Sequence, residues 1–303
     1  MNKDFLSVYD LTSTDFEIIF EKAQKLKKML RDGIPYTPLA GKTLGMIFDK
    51  SSTRTRISFE VGIYQLGGTA LFLSSRDTQL GRGENVSDTA RVMSRYLDAV
   101  VIRTYSQVFV EEFAKYAAIP VINGLTDREH PCQILSDLFT IMEKKGSCEA
   151  IKIAYIGDGN NVANSWIDAA ARIPFQLSLA CPENYEPDAE ILGRGMKEAK
   201  QGISLHRDPL EAVVKADVIY TDVWTSMGQE SEKEERAKVF QAYQINSSML
   251  AQAREDVIVM HCLPAHRGEE ITDEVIDGPH SVVIDQAENR LHVQKAIMET
   301  LMQ

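Results

Sequence analysis

The chain has 303 residues, 44% of them hydrophobic and 25% charged, with a formal net charge of -11. That composition excludes a disordered chain, and the acidic balance speaks against nucleic acid as a partner, because binding it needs a basic face. No run of ~20 apolar residues is present to span a membrane, although a few arginines can still form a local pocket for a small anion.

The length suggests two domains of ~150 residues each. The start, Met-Asn-Lys-Asp-Phe, has no apolar segment of the secretory kind. Cys132, Cys148, Cys181 and Cys262 are scattered rather than arranged as a disulfide framework. A reducing, cytoplasmic setting is therefore expected.

In chain order, Thr14-Asp15-Phe16-Glu17 fits a capping box. A helix with apolar Phe16, Ile19, Phe20, Ala23, Leu26 and Leu30 is expected to follow, ending at Gly33 and Pro35. Strands are then predicted over 43–48, 69–73, 99–102 and 120–122. Helices are predicted after Ser51–Arg56 up to Leu66, and over 86–97, 108–117 and 134–143. Lys144-Lys145-Gly146-Ser147 is a polar break and the expected boundary. Beyond it, strands are expected at 151–156, 176–180, 203–206, 217–220, 257–260 and 282–284, with helices between most of them and a last helix over 287–302. Near-continuous apolar strands alternating with helices indicate parallel sheets covered on both faces. The fold expected is α/β, two doubly wound parallel-sheet domains over 1–145 and 146–286, with ligand bound in the cleft between them.

Open parallel sheets bind ligands outside the carboxyl ends of their strands. Six polar features fall there: Ser52–Arg56, Arg103, His130, Asn161, Asp222 and the His261-Cys262 pair. Ser51-Ser52-Thr53-Arg54-Thr55-Arg56 lies where a helix begins, and a helix N-terminus favours an anion. Hydroxyls and a guanidinium add donors suited to phosphate oxygens. The same string also fits a plain Ser/Thr helix cap with solvated arginines, and His130 also fits a loop histidine that caps a helix.

Taken whole, the string resembles the Ser-Thr-Arg-Thr-Arg motif of the aspartate and ornithine carbamoyltransferases. His130-Pro131-Cys132-Gln133 resembles the family's second motif. Asp222-Val223-Trp224 with Ser226-Met227-Gly228, and His261-Cys262-Leu263-Pro264, resemble its ornithine branch, and Ala287-Glu288-Asn289-Arg290 resembles its C-terminal element. The aspartate branch typically shows HPTQ and Pro-Leu-Pro instead and lacks Ser-Met-Gly. The resemblance runs over nearly the whole chain. It implies carbamoyl transfer from carbamoyl phosphate to the δ-amine of L-ornithine, with no cofactor or metal, by a homotrimer or a multiple of it. It also implies that the last helix, 287–303, packs back onto the first domain.

Carried over by position, the resemblance implies phosphate contacts at Ser52, Thr53, Arg54, Thr55 and Arg103. It implies contacts to the carbamoyl end at His130 and Gln133, with further carbamoyl-phosphate contacts at Gln79, Pro131, Cys132, Cys262, Leu263 and Arg290. Asn161, Asp222, Ser226 and Met227 match ornithine contacts. The catalytic group implied is Cys262, His130, Arg103 and Asp222, with Cys262 polarised by Asp222 or His261. A thiol that is simply buried is the other reading of Cys262. In the aspartate branch a lysine in the loop after the second strand reaches a neighbouring subunit's site. Here that loop reads Gln79-Leu80-Gly81-Arg82-Gly83-Glu84, and Arg82 is its one base.

Three alternatives accompany this reading. A related amine such as putrescine would use the same chemistry. Gly157-Asp158-Gly159, with Glu183 beyond it, resembles part of the fingerprint of a dinucleotide-binding oxidoreductase, but Val162 stands where its third glycine belongs. His130, Cys132, His261, Cys262 and His266 lack the spacing of a closed metal site. The charge run Glu230–Arg236 reads as a solvated loop and helix start within a possible lid.

Overall fold

The structure, a computed structural model, describes residues 1–74, 83–226 and 228–303, with every side chain among them except that of Glu230. Gln79, Arg82 and Met227, singled out above, lie outside the described residues. The chain divides into two compact units, Met1–Ser136 with Glu288–Gln303, and Asp137–Ala287.

The first unit contains α1 (Ser13–Arg31), β1 (Thr43–Phe48), α2 (Thr53–Gln65), β2 (Thr69–Ser74), α3 (Val86–Met93), β3 (Ala99–Arg103), α4 (Gln107–Tyr116), β4 (Val121–Leu125) and the start of α5 (Pro131–Lys145). Its strands form one parallel sheet in the order β2-β1-β3-β4. β3 and β4 are buried along their whole length, whereas β2, at the edge, leaves Leu71 and Phe72 exposed. From β1 the chain steps to β2 on one side and then to β3 on the other. The loop after β1 and the end of β3 therefore flank the point where the winding reverses, the usual place for a ligand in an open sheet.

The second unit contains β5 (Lys152–Ile156), α6 (Asn161–Ala170), β6 (Gln176–Ala180), α7 (Ala189–Glu198), β7 (Ile203–His206), α8 (Pro209–Val213), β8 (Val218–Thr221), α9 (Lys233–Val239), α10 (Ser247–Leu250), β9 (Ile258–His261) and α11 (Asp273–Ile276). Its parallel sheet has the order β7-β6-β5-β8-β9. The winding reverses between β5 and β8, so Gly157–Asn161 and Asp222 flank the second reversal. Ala154, Ile156, Ile219, Val259, Phe240 and Trp224 lie in the core on one face of this sheet.

Several boundaries differ from those read in the sequence. The capping box of α1 is Thr12 with Asp15, two residues early: the Asp15 N–H donates to Thr12 Oγ1 (3.3 Å) and the Thr12 N–H to Asp15 Oδ2 (2.9 Å). α3 stops at Met93 rather than Leu97, because Ser94 turns its hydroxyl onto the Ala90 carbonyl (2.7 Å) and accepts the Ala118 N–H (2.9 Å). Residues 282–284 are not a strand. One bridge joins Ser281 to Val259, and the chain then enters α12 (Val283–Met302). The two compact units part inside α5, between Ser136 and Asp137. Asp137 already belongs to the second unit, where its carboxylate accepts from Tyr220 Oη (2.8 Å) and Gln286 Nε2 (2.8 Å). From Glu288 onward α12 belongs to the first unit, with Lys27 donating to Asn289 Oδ1 (2.7 Å) and Lys295 to Gln65 Oε1 (2.9 Å).

Candidate active site

In the first unit, Ser52 is the N-cap of α2 and accepts the Thr55 N–H on its Oγ (3.2 Å). Thr53, Arg54 and Thr55 therefore form the first turn, where helix N–H groups lack partners within the helix. Thr55 is buried, and its hydroxyl accepts a hydrogen bond from Arg290 Nη2 (2.8 Å) on α12. Arg56 points its guanidinium elsewhere, to Glu60 (2.9 Å) and over the Phe72 ring (3.8 Å from its centroid). Of the two arginines in the motif, Arg54 is thus the one left for an anion at the turn.

Arg103 ends β3 and is buried, as are Arg290 and Lys50. Lys50 pairs with Asp127 and sits over the Tyr105 ring (4.2 Å). His130 is buried just before α5, and its carbonyl accepts the Gln133 N–H (3.1 Å). Burial holds its imidazole well below the usual histidine range, and the charges of Arg290, Arg103 and Lys50 push the same way. His130 is therefore neutral at pH 7, an uncharged N–H donor among three cations. Cys132 is buried, bonds the Asn123 carbonyl (3.4 Å) through its thiol, and is pushed up to about 12 by burial. Such a thiol is no nucleophile. Gln133, one position on, is buried as well.

In the second unit, Asp222 follows β8 and is buried. Its Oδ1 accepts the Cys262 thiol proton (2.9 Å) and the Val223 N–H (2.8 Å), while its Oδ2 accepts Asn160 Nδ2 (2.8 Å). Cys262 follows β9 and is only partly buried. His261 ends that strand with its ring occupied: Nδ1 accepts the Leu263 N–H (2.8 Å), which places the ring proton on Nε2, facing Glu270 Oε1 (3.0 Å). Of the two partners considered for Cys262, Asp222 makes the bond and His261 is committed to Leu263 and Glu270. Asp222, His261 and Cys262 bring ligand-type atoms within 4.8 Å of one another, but these bonds already engage them. Leu263 adopts a left-handed backbone (φ 58°), a conformation worth ~1–3 kcal/mol of strain for a residue of this kind. Asn161 is the first residue of α6, and Ser226 donates its N–H to Gln229 Oε1 (3.1 Å).

Two models of one family match the chain in succession. One, described as the carbamoyl-P binding domain of aspartate/ornithine carbamoyltransferase, matches residues 3–143. The other, its Asp/Orn binding domain, matches residues 149–301. The chain belongs to the aspartate/ornithine carbamoyltransferase family. An ornithine carbamoyltransferase of Syntrophus aciditrophicus is 71% identical over 99% of this chain and 100% of its own length. One of Geobacter metallireducens is 56% identical over 100% of both. Among solved structures, the ornithine carbamoyltransferase from Pyrococcus furiosus is 52% identical, with a TM-score of 0.95 over 99% of this chain and 96% of that one.

Within this family frame, the Gly157-Asp158-Gly159 string that resembled a dinucleotide fingerprint has a packing explanation. A Cβ on Gly159 would stand 2.2 Å from the backbone of Glu186 and Pro187. Gly159→Ala is expected to destabilise the fold by ~1–3 kcal/mol, as overpacking does. The drop would be read from the urea midpoint, and an unchanged midpoint would show that the backbone yields without cost.

Sequence reasoning missed three groups. Lys50 directly precedes the phosphate-type motif and could have been found by its position. Asn160 is the N-cap of α6, which the Asn-Asn pair ahead of an apolar helix could have signalled. Arg236, read as part of a solvated charge run, is buried. It donates to the Trp224 carbonyl (2.8 Å), pairs with Asp158 (3.2 Å) and Glu232 (2.9 Å), and lies over the Tyr185 ring (4.8 Å). It ties both ends of the segment that carries Ser226 to the second unit. Asp158 is raised to about 6, because burial outweighs the attraction of Arg236.

Proposed function

We propose that the chain transfers the carbamoyl group of carbamoyl phosphate to the δ-amine of L-ornithine, giving L-citrulline and phosphate. The observation that carries this is the bond from the Cys262 thiol to a buried, fixed Asp222 carboxylate, within the ornithine-branch motifs. The first turn of α2, with Arg54 and Arg103, offers donors to the phosphate. His130, held neutral, donates to the carbamoyl oxygen where negative charge grows as the amine attacks, and Gln133 and Arg290 hold the same end of the substrate.

The attacking amine must first lose a proton. With an ammonium pKa of ~10.4, deprotonation at pH 7 costs ~4–5 kcal/mol. The proton passes to the Cys262 sulfur as the thiol proton moves to Asp222 Oδ1, so the charge leaves the nucleophile without a free hydroxide. Asn161, Asp222 and Ser226 hold the amino-acid head. Citrulline formed by the purified protein from carbamoyl phosphate and ornithine supports the proposal. Phosphate release without citrulline overturns it.

The working form proposed is a homotrimer or a multiple of it, as the family resemblance implies. An exposed edge strand supports assembly. β2 leaves Leu71 and Phe72 open to solvent, and Ile57, Val61 and Tyr64 of the neighbouring helix α2 are exposed too. Apolar side chains exposed together in this way favour contact with another chain. Light scattering is expected to report a trimer or a multiple, and Leu71→Lys to shift it towards monomer. A fully active monomer would contradict this. Cytoplasmic location is proposed from the four free cysteines. Among the described residues no helix is long and apolar enough to cross a membrane.

A further inference from the structure

We infer that Asn160 is a positioning residue for the Asp222–Cys262 pair, its amide locked by the start of α6 so that its N–H holds the carboxylate against the thiol. This rests on the roles proposed above for Asp222 and Cys262.

The orientation of the Asn160 amide follows from its neighbours. Its Oδ1 faces three donors: the N–H groups of Val162 (2.9 Å) and Ala163 (3.3 Å) in the first turn of α6, and Tyr155 Oη (3.1 Å). Only the oxygen can accept there, so the NH2 group must face Asp222 Oδ2, at 2.8 Å. Tyr155 is fully buried, shares its one hydroxyl proton between Asn160 Oδ1 and the closer Asp158 carbonyl (2.8 Å), and stacks on Tyr220 (6.0 Å between centroids). The lock therefore rests on core packing. It fixes one carboxylate oxygen and leaves the other to Val223 N–H and the Cys262 thiol. The titratable groups acting around Asp222 are Cys262, Asp158, Tyr155, Tyr220 and His261, with Arg236 behind Asp158.

Asn160→Asp separates positioning from folding. Aspartate caps a helix as well as asparagine does, so α6 keeps its start. The N–H donor, however, becomes a carboxylate against Asp222, and two carboxylates at that distance cannot both ionise. Asn160→Ser keeps a cap and simply withdraws the donor.

The test compares both variants and Asp222→Asn with the parent. It measures kcat and KM for ornithine across pH, the carbamoyl phosphate dissociation constant, and the melting temperature. The expected result for Asn160→Asp is a fall of ~10–100-fold in kcat/KM for ornithine at pH 7. The acid limb of its profile should move up by ~1 unit or more, with carbamoyl phosphate affinity kept and the melting temperature lowered only by the cost of the added carboxylate. Asn160→Ser should lose activity without that movement. A parent-like rate and pH profile in Asn160→Asp overturns the inference, and an inactive Asp222→Asn alongside it leaves the reading of Asp222 standing. Equal loss of both substrates with a lowered melting temperature in both Asn160 variants also overturns it, because that marks a structural role alone. A fully active Asp222→Asn would instead overturn the reading of Asp222.

Discussion

Asp222→Asn is expected to lower kcat/KM for ornithine by ~100–1,000-fold, while carbamoyl phosphate binds nearly as before. The carboxylate is buried between Asn160 and Cys262. In the proposed complex it faces the cationic end of the substrate amino acid and takes the proton that leaves through Cys262. Removing one partner of a buried charge pair costs ~2–5 kcal/mol, and ~1.4 kcal/mol is a tenfold change in rate. The amide keeps the shape of the side chain but carries no charge, and can turn its NH2 towards the Asn160 NH2. Steady-state kinetics with both substrates checks this. A loss shared equally by ornithine and carbamoyl phosphate would place Asp222 outside the amine site.

Arg54→Ala is expected to reduce turnover at fixed substrate by at least ~100-fold. A charge-assisted hydrogen bond contributes ~1.5–3 kcal/mol, and more where it tightens in the transition state. Arg56, two residues on, cannot substitute, because Glu60 and the Phe72 ring hold it. Arg56→Ala is accordingly the control. Near-normal activity in Arg54→Ala, or a loss as large in Arg56→Ala, would refute the assignment of the phosphate contact.

Much of the candidate site was legible because parallel sheets put their loops in predictable places. A polar residue following an apolar strand stands at the sheet's ligand-binding end, and Arg103, Asp222 and Cys262 were found that way. What escaped depended on contacts between distant parts of the chain. Arg236 looked solvated among the charges of 230–236, yet Asp158, Tyr185 and Phe240, up to 78 residues away in sequence, enclose it. Asn160 and Asn161 are adjacent and identical in type, and only the start of α6 distinguishes cap from first helical residue. Boundaries failed for local reasons. Thr12–Asp15 and Thr14–Glu17 both satisfy the capping pattern, and an apolar triplet such as Val282–Ile284 does not distinguish a strand from a helix start.

The account turns on which amine is carbamoylated, and a phosphate-release assay with carbamoyl phosphate against ornithine, putrescine and aspartate measures it directly. Putrescine offers the same reactive amine but no α-carboxylate. A site whose buried groups are built for a polar head rejects an analogue lacking it by ~10⁴–10⁵. Aspartate would bring a second carboxylate up to Asp222, whose two oxygens are already fixed as acceptors. The predicted result is rapid release with ornithine and turnover at least ~10⁴-fold poorer with putrescine and aspartate. Comparable turnover of putrescine or aspartate would contradict the assignment of Asp222 and its neighbours as the amino-acid site.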